Sequence, residues 1–221
     1  NNEHTLIGNN GLTIEDLASF WQAIAKEFST FKNIYGYGLM NEPHDLAPET
    51  KWFDMAQASI NAIREVDTNT LIMVGGNDWS SAERWIEQSD TLKFLKDPAN
   101  NLAFEAHVYF DKDASGTYKY SYEEEECYPE KGIDRVKPFV EWIKQNKFHG
   151  FIGEYGIPDN DPRWNETLDL FLGYLQENGI NGTYWAAGPW WDTYFMAITP
   201  KDGKDRPQMP IIEKYTSTLK K

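Results

Sequence analysis

The sequence is short of the features that would assign it to several common classes of protein. Its single cysteine, Cys127, excludes an intrachain disulfide, which suits a cytosolic protein and a bacterial secreted protein equally well. Lysine and arginine number 21 against 35 acidic residues, and the formal net charge is −14. We therefore expect no nucleic-acid partner, and we expect anionic membranes to repel the chain.

Three further absences narrow the possibilities. The chain has no run of about 18 apolar residues, so we expect no transmembrane helix and no membrane partner. It has no GxGxxG phosphate loop after a strand, which argues against a nucleotide site. It opens on the polar stretch NNEHTLIGNN without an initiator methionine, and we interpret it as a processed or truncated product without a signal peptide.

What is present is typical of a globular protein with a large core. The chain has 221 residues, of which 40% are hydrophobic and 15% aromatic. This length supports one domain over residues 1–221 without disulfides.

Apolar segments with strand character alternate with segments of helical periodicity along the chain. A first helix follows Thr13, which forms a capping-box-like motif with Asp16 in place of Glu or Gln. A long loop is expected over residues 112–132. The predicted strands cover residues 33–43, 69–78, 101–111, 150–158 and 182–191. The later predicted helices cover residues 50–66, 81–88, 133–147, 165–178 and 209–219. Strands that alternate with helices predict an α/β fold with a parallel sheet.

Polar and aromatic residues follow or end each predicted strand. In a (β/α)8 barrel this end of the strands forms the active-site face, and a doubly wound sheet also binds ligands there. Two of these residues are glutamates, Glu42 and Glu154, and they lie on predicted strands three positions apart. The residues in question are Asn41 and Glu42, then Asn77, Asp78 and Trp79, then His107 and Tyr109, then Glu154, and finally Trp185.

Glu42 and Glu154 together predict glycoside cleavage, because that reaction uses one carboxyl group as a proton donor and another as nucleophile or base. Taken alone, a glutamate at a strand end is most often a solvated loop residue. His44 and Asp45 follow Glu42 at a spacing that matches no common metal-ligand pattern. We therefore expect no metal.

Five segments carry a resemblance to a known family: GLMNEPHD, GNDWSSA, HVYFDKDASGT, IGEYG and YWAAGPWW. Their sequence and order resemble glycoside hydrolase family 5, in particular its fifth subfamily of microbial endo-β-1,4-glucanases (cellulases). The resemblance covers nearly the whole chain. It implies a (β/α)8 barrel, a retaining mechanism on a β-glucan substrate and no cofactor.

The resemblance also implies roles for individual residues. Glu42 matches the acid/base of the family, and Glu154 matches its nucleophile. The matched substrate-binding residues are Asn41 at the sugar 2-hydroxyl, His107 and Tyr109 lining the site, Trp185 as a platform and Trp79, more loosely, as a subsite wall.

The chain departs from the family at its start. If residues 33–43 form strand four, only strands four to eight of the barrel are present, and a full barrel takes roughly 250 residues. A partial barrel leaves sheet edges uncovered, so we expect self-association or an N-terminal partner fragment to complete it. The family's arginine and histidine from the earlier strands have no counterpart here.

Two other interpretations of function remain open. The chain could act on another β-glycan, as a mannanase or xylanase does, because some subsite walls lie on the absent strands. It could also be a non-catalytic half-barrel, structural or sugar-binding. An enzyme that degrades cellulose is expected to be secreted, in the extracellular space or the periplasm.

Overall fold

The computed structural model describes residue 7, residues 11–46 and residues 51–216. Among these residues the strands are β1 (Gly36–Gly38), β2 (Leu71–Gly75), β3 (Leu102–His107), β4 (His149–Tyr155) and β5 (Asn181–Tyr184). The helices are α1 (Ile14–Phe28), α2 (Trp52–Arg64), α3 (Asn77–Ser80), α4 (Trp85–Ser89), α5 (Lys131–Asn146), α6 (Arg163–Glu177) and α7 (Met209–Tyr215). Two short 3₁₀ turns cover Asp90–Phe94 and Pro189–Trp191.

The strands form one sheet in the order β1-β2-β3-β4-β5. The pairs β1–β2, β2–β3 and β4–β5 are parallel, and Gly36 lies opposite Leu71 in the first of them. Strand order therefore follows chain order, as expected when right-handed crossovers through helices connect neighbouring parallel strands. The predicted alternation of strands and helices is confirmed.

Several predicted boundaries were wrong at the strand ends. β1 is three residues long, so the predicted strand over residues 33–43 stops well before Glu42. The predicted strand over residues 182–191 ends at Tyr184 and gives way to a 3₁₀ turn. The last predicted helix extends to residue 219, and its part beyond residue 216 lies outside the described residues.

By its internal contacts the chain divides into two compact units. Unit 1 comprises the residues up to Glu105 together with Trp142–His149, and unit 2 comprises Ala106–Glu141 and the residues from Gly150 onward. The prediction of a single domain over residues 1–221 stays a prediction.

Unit 1 is built around large aromatic side chains. Trp85 and Phe104 are almost fully buried, and both meet the ring of Trp142 edge to face, at centroid distances of 5.5 and 4.9 Å. α1 begins with the predicted capping box: Thr13 Oγ1 accepts from Asp16 N, and Asp16 Oδ2 accepts from Thr13 N. This arrangement satisfies two backbone N–H groups that a helix start otherwise leaves unpaired.

Unit 2 has its own core between the sheet and helices α5 and α6. Phe110, which follows β3, contacts Phe171 of α6 at a centroid distance of 5.2 Å. Trp164 is 1% exposed and receives the edges of Tyr118 and Tyr122. Among the described residues of the whole chain, no helix is both long and apolar enough to cross a membrane.

Candidate active site

Glu42 lies in a bend beyond the carboxyl end of β1. The ladder to β2 continues to Leu39, whose N–H donates to Met73 O at 3.0 Å, and the chain then turns. Glu42 has φ 45°, a left-handed conformation that costs roughly 1–2 kcal/mol for a residue other than glycine. Such strain persists only where the surroundings impose it, and it concentrates at functional sites. Asn41 beside it is exposed, and Glu42 is half-buried.

A glycine of β2 makes room for this bend. A Cβ atom at Gly75 would lie 2.9 Å from Met40 O and 3.5 Å from Pro43 Cδ. The contact with a carbonyl oxygen is closer than real Cβ atoms allow, so only glycine permits the segment around Glu42 to cross β2. Pro43 restricts the backbone directly after Glu42, and this restriction acts together with the buried glycine on the next strand.

Trp79 is presented by a second strained segment in unit 1. Asp78, Trp79 and Ser80 have φ values of 56°, 57° and 55°, so α3 is a left-handed turn rather than a regular helix. Trp79 is 42% exposed, and its ring stacks on that of His44 with 4.4 Å between centroids and 14° between planes. His44 therefore covers one face of the Trp79 ring, and the opposite face of the indole is the one suited to stacking on a sugar.

In unit 2 the structure brings together three predicted site residues: Glu154, Tyr109 and His107. Glu154 is the penultimate residue of β4, and Tyr109 Oη donates a 2.8 Å hydrogen bond to Glu154 Oε2. His107 Nδ1 lies 3.7 Å from the same oxygen. Tyr109 and His107 are 7% and 4% exposed. A hydrogen bond donated to a carboxylate favours its charged form, which a nucleophile requires.

The backbone aligns this group as well. Val108 N donates to Glu154 O at 3.0 Å, so the chain after β3 stays paired to β4 at the level of the carboxylate. His107 and Glu154 are also residue types that bind metals. The implication of the family resemblance that the site needs no metal or cofactor stays a prediction.

Trp185 follows β5 and is half-buried. Its N–H donates to Tyr155 O at 2.8 Å, and the peptide bond between Trp185 and Ala186 is cis. The ring contacts Trp191 at 4.9 Å, and Trp191 contacts Tyr194 at 5.1 Å. Sequence reasoning did not single out Trp191 and Tyr194; the density of aromatic residues in GPWWDTYF was the available signal.

The second glycine of the motif GEYG, Gly156, is required for a steric reason. A Cβ at Gly156 would lie 2.3 Å from the carbonyl oxygen of Trp185, so the chain after β5 runs directly against the residue that follows Tyr155. The motif thus combines a carboxylate on the strand with the glycine that lets the next strand-end loop approach it.

Comparison with known proteins agrees with these features. Residues 1–190 match the cellulase family, glycosyl hydrolase family 5. Endo-beta-1,4-glucanase B of Emericella nidulans is 36% identical over 193 residues, which are 85% of this chain and 56% of that protein. The chain therefore spans little more than half the length of this curated relative.

Solved structures extend the likeness to the fold. Pseudomonas stutzeri endoglucanase Cel5A in complex with cellobiose is 42% identical with a TM-score of 0.90, covering 98% of this chain and 65% of that one. XacCel5A in complex with cellopentaose is 38% identical with a TM-score of 0.85, covering 95% and 68%. The fold is that of part of a (β/α)8 barrel, as predicted. The chain belongs to glycosyl hydrolase family 5, and the resemblance in the sequence is confirmed.

Proposed function

We propose that this chain carries the catalytic pair of a retaining endo-β-1,4-glucanase, which cleaves internal bonds of cellulose or a related β-glucan. The observation that carries the proposal is Glu154 near the carboxyl end of β4, with the Tyr109 hydroxyl donating to it. Membership of the family and the names of the relatives support it. So do two similar structures, which are complexes with cellobiose and with cellopentaose.

Glu154 acts as the nucleophile and Glu42 as the acid/base. In the first step Glu154 attacks the anomeric carbon while Glu42 protonates the departing glycosidic oxygen, which leaves a glycosyl ester on Glu154. In the second step Glu42 takes a proton from water, and the water oxygen displaces Glu154 from the anomeric carbon. Two inversions give net retention, and the mechanism requires the two carboxyl groups to lie roughly 5–5.5 Å apart.

The remaining predicted residues bind the sugar. Asn41 hydrogen-bonds the 2-hydroxyl of the ring under attack, and His107 lines the same position. Trp185 and Trp79 offer flat faces to neighbouring glucose units, which is how aromatic side chains hold a ring with few polar groups on its face.

A first experiment measures new reducing ends from carboxymethylcellulose and cellotetraose with the protein and its Glu154→Gln variant. We expect turnover by the first and none by the second, with binding of cellotetraose kept by the variant. Turnover that persists in the variant would contradict the assignment of the nucleophile. Binding without turnover by both would favour the non-catalytic, sugar-binding alternative.

Azide separates the roles of the two carboxylates. With an aryl β-cellobioside that has a good leaving group, Glu154→Gly should yield the α-glycosyl azide, because azide takes the place of the nucleophile. Glu42→Ala should yield the β-glycosyl azide, because azide intercepts the ester formed on Glu154. The opposite pattern would reverse the two roles, and formation of neither azide would refute the retaining mechanism.

Apolar surface in both units supports a further part of the proposal. In unit 1, Phe20, Phe31 and Tyr35 are 55%, 51% and 67% exposed. In unit 2, a groove of about 590 Å³ runs along β5 and is lined in part by Leu172 and Ile212. We infer that the rest of a (β/α)8 barrel packs on these surfaces, supplied by a second copy or an N-terminal fragment. A monodisperse monomer at micromolar concentration in light scattering would argue against the second copy.

The proposed substrate indicates where in or outside the cell the enzyme acts. Cellulose is an insoluble polymer outside cells, and we propose that the enzyme is secreted to meet it. Detection of the protein in the culture medium or periplasmic fraction of its source tests this. A protein confined to the cytosol would contradict it.

A further inference from the structure

The Tyr109–Glu154 hydrogen bond is formed beyond the end of β3, one residue after Val108, whose N–H still pairs with Glu154 O. A buried hydroxyl group continues this connection past the strand end. Tyr118 Oη accepts a 2.9 Å hydrogen bond from Phe110 N and donates a 2.6 Å hydrogen bond to Gly156 O. It therefore ties the residue after Tyr109 to the second residue after Glu154.

The Tyr118 side chain is suited to this bridge. It is 8% exposed, and burial raises the pKa of its phenol well above the usual value. The hydroxyl therefore stays neutral, and a neutral phenol can donate and accept at the same time. Its ring packs edge to face on Trp164 at 5.0 Å, so the hydroxyl position is fixed by the core of unit 2.

The loop that carries Tyr118 is closed by a buried carboxylate. Asp111 is 1% exposed and accepts hydrogen bonds from the N–H groups of Gly116, Thr117 and Tyr118 at 3.0–3.2 Å. Ser115 Oγ donates to it as well. Several donors on one carboxylate hold a loop in a single conformation.

This loop also seats the Tyr109 ring. Gly116 has φ +72°, and a Cβ at this position would lie 3.0 Å from three atoms of the ring. The Gly116 backbone therefore packs closely against the Tyr109 ring. Arg135 of α5 donates one hydrogen bond to Tyr109 O and another to Lys112 O. The side-chain ring of Tyr109 and its backbone carbonyl group are therefore both held in place.

We propose that Tyr118 is a positioning residue of the active site, which acts by holding Tyr109 in hydrogen-bonding distance of Glu154. The inference rests on the proposed function, in which Glu154 is the nucleophile. Tyr118 acts only through its bridge between the two strand ends. Small displacements of a catalytic group lower the rate of the chemical step more than they weaken binding.

The test is Tyr118→Phe, which keeps the ring and removes both hydrogen bonds. We expect kcat on cellotetraose to fall about tenfold, with KM changed less than about twofold. In a Tyr109→Phe background the same substitution should have almost no further effect on kcat, because the bond that it protects is already absent. Equal losses in both backgrounds would overturn the proposal, since independent effects add. An unchanged kcat in the single variant would overturn it as well.

A matched control separates positioning from stability. Tyr122 lies in the same loop, is 6% exposed and packs on the same Trp164 ring, but its hydroxyl pairs with Thr167 Oγ1 rather than with a strand end. Tyr122→Phe should lower the melting temperature to a similar degree and leave kcat unchanged. A similar fall in kcat in this control would show a general effect of loop stability and refute the assignment.

A structural readout keeps the inference separate from the function that it rests on. In a crystal structure of Tyr118→Phe we expect the Tyr109 Oη–Glu154 Oε2 distance to lengthen from 2.8 Å. An unchanged distance would overturn the inference whatever the activity. A wild-type protein inactive on every β-glucan would instead refute the proposed function and leave this distance to decide the inference. If Tyr118→Phe does not fold, Gly116→Ala, which presses on the Tyr109 ring with the Tyr118 bridge intact, tests whether the ring position matters; an unchanged kcat in this variant would overturn the inference.

Discussion

Asp67 offers a direct test of how unit 1 is stabilised. The carboxylate is 5% exposed and accepts 2.9 Å hydrogen bonds from the N–H groups of Asn69 and Thr70. Tyr37, in the middle of β1, donates a third at 2.8 Å. Burial alone would raise the pKa of Asp67, but these hydrogen bonds outweigh it and lower the pKa from 3.8 to about 2. The Asp67 carboxylate therefore links the turn before β2 to the neighbouring strand β1.

The size of the effect follows from linkage. A folded-state pKa below the unfolded value means that folding is favoured while the group is charged, with 1.36 kcal/mol per unit of difference. The contribution of Asp67 is therefore about 2 kcal/mol above pH 5. Because the unfolded chain takes up the proton first, the contribution falls as pH drops through 4 and is about half gone at pH 3.

The assay is urea unfolding of the wild type and Asp67→Asn at pH 6 and pH 3, followed by circular dichroism. We expect the variant to be less stable by about 2 kcal/mol at pH 6 and by about 1 kcal/mol at pH 3. Asp205→Asn removes the same charge from an exposed position and should have little effect at either pH. A difference between the wild type and Asp67→Asn that is the same at both pH values would refute the reasoning.

Two other substitutions test the geometry of the strand ends. Gly156→Ala would place a Cβ 2.3 Å from the backbone oxygen of Trp185, and no rotamer change can relieve this contact. Thermal unfolding should therefore show a loss of stability of at least about 2 kcal/mol. Gly38→Ala is the control that should be tolerated, because its Cβ would have its nearest neighbour at 3.7 Å. Trp79→Ala should weaken cellotetraose binding about fivefold through the loss of one stacking face, as calorimetry on a turnover-deficient variant can measure. Unchanged affinity would mean that the Trp79 ring does not contact the glucan.

The pattern of strands and helices was available from the sequence because it depends on local periodicity. Each predicted strand exists, and Glu154, His107, Tyr109 and Trp185 lie on a strand or within two residues of its end. The length of β1 could not be predicted from local periodicity. The strand stops at Gly38 because the following residues turn across Gly75 of the neighbouring strand, and this close approach is a property of two segments that are far apart in the chain.

The residues that position the site could not be predicted from the sequence for the same reason. Tyr118 lies in the predicted loop over residues 112–132 and Asp111 ends the predicted strand before it, and nothing in the composition of this stretch indicates that a hydroxyl group reaches two strand ends. The resemblance to a family identified residues expected to touch substrate, whereas Tyr118 bonds two backbone groups of the protein. Residues that act through others are found by following hydrogen bonds in space.

The two ends of the strands in unit 1 are stabilised differently, and the difference agrees with the proposed function. Before β2 and β3, Arg64 forms two hydrogen bonds with Asp97 and also donates to Thr70 O and Asn101 O. Although burial alone would raise the pKa of the Asp97 carboxyl, Arg64 and two backbone N–H groups lower it below its usual value. At this end of the strands the ion pair is buried, as expected for the face of a barrel that contributes to stability rather than to the active site. Beyond the carboxyl end of β1 the chain holds Glu42, whose side chain is half-buried. Left-handed residues occur at both ends, Glu42 with φ 45° at this one and Asn100 with φ 50° before β3, so it is the accessible carboxylate rather than the backbone strain that agrees with a substrate-binding face.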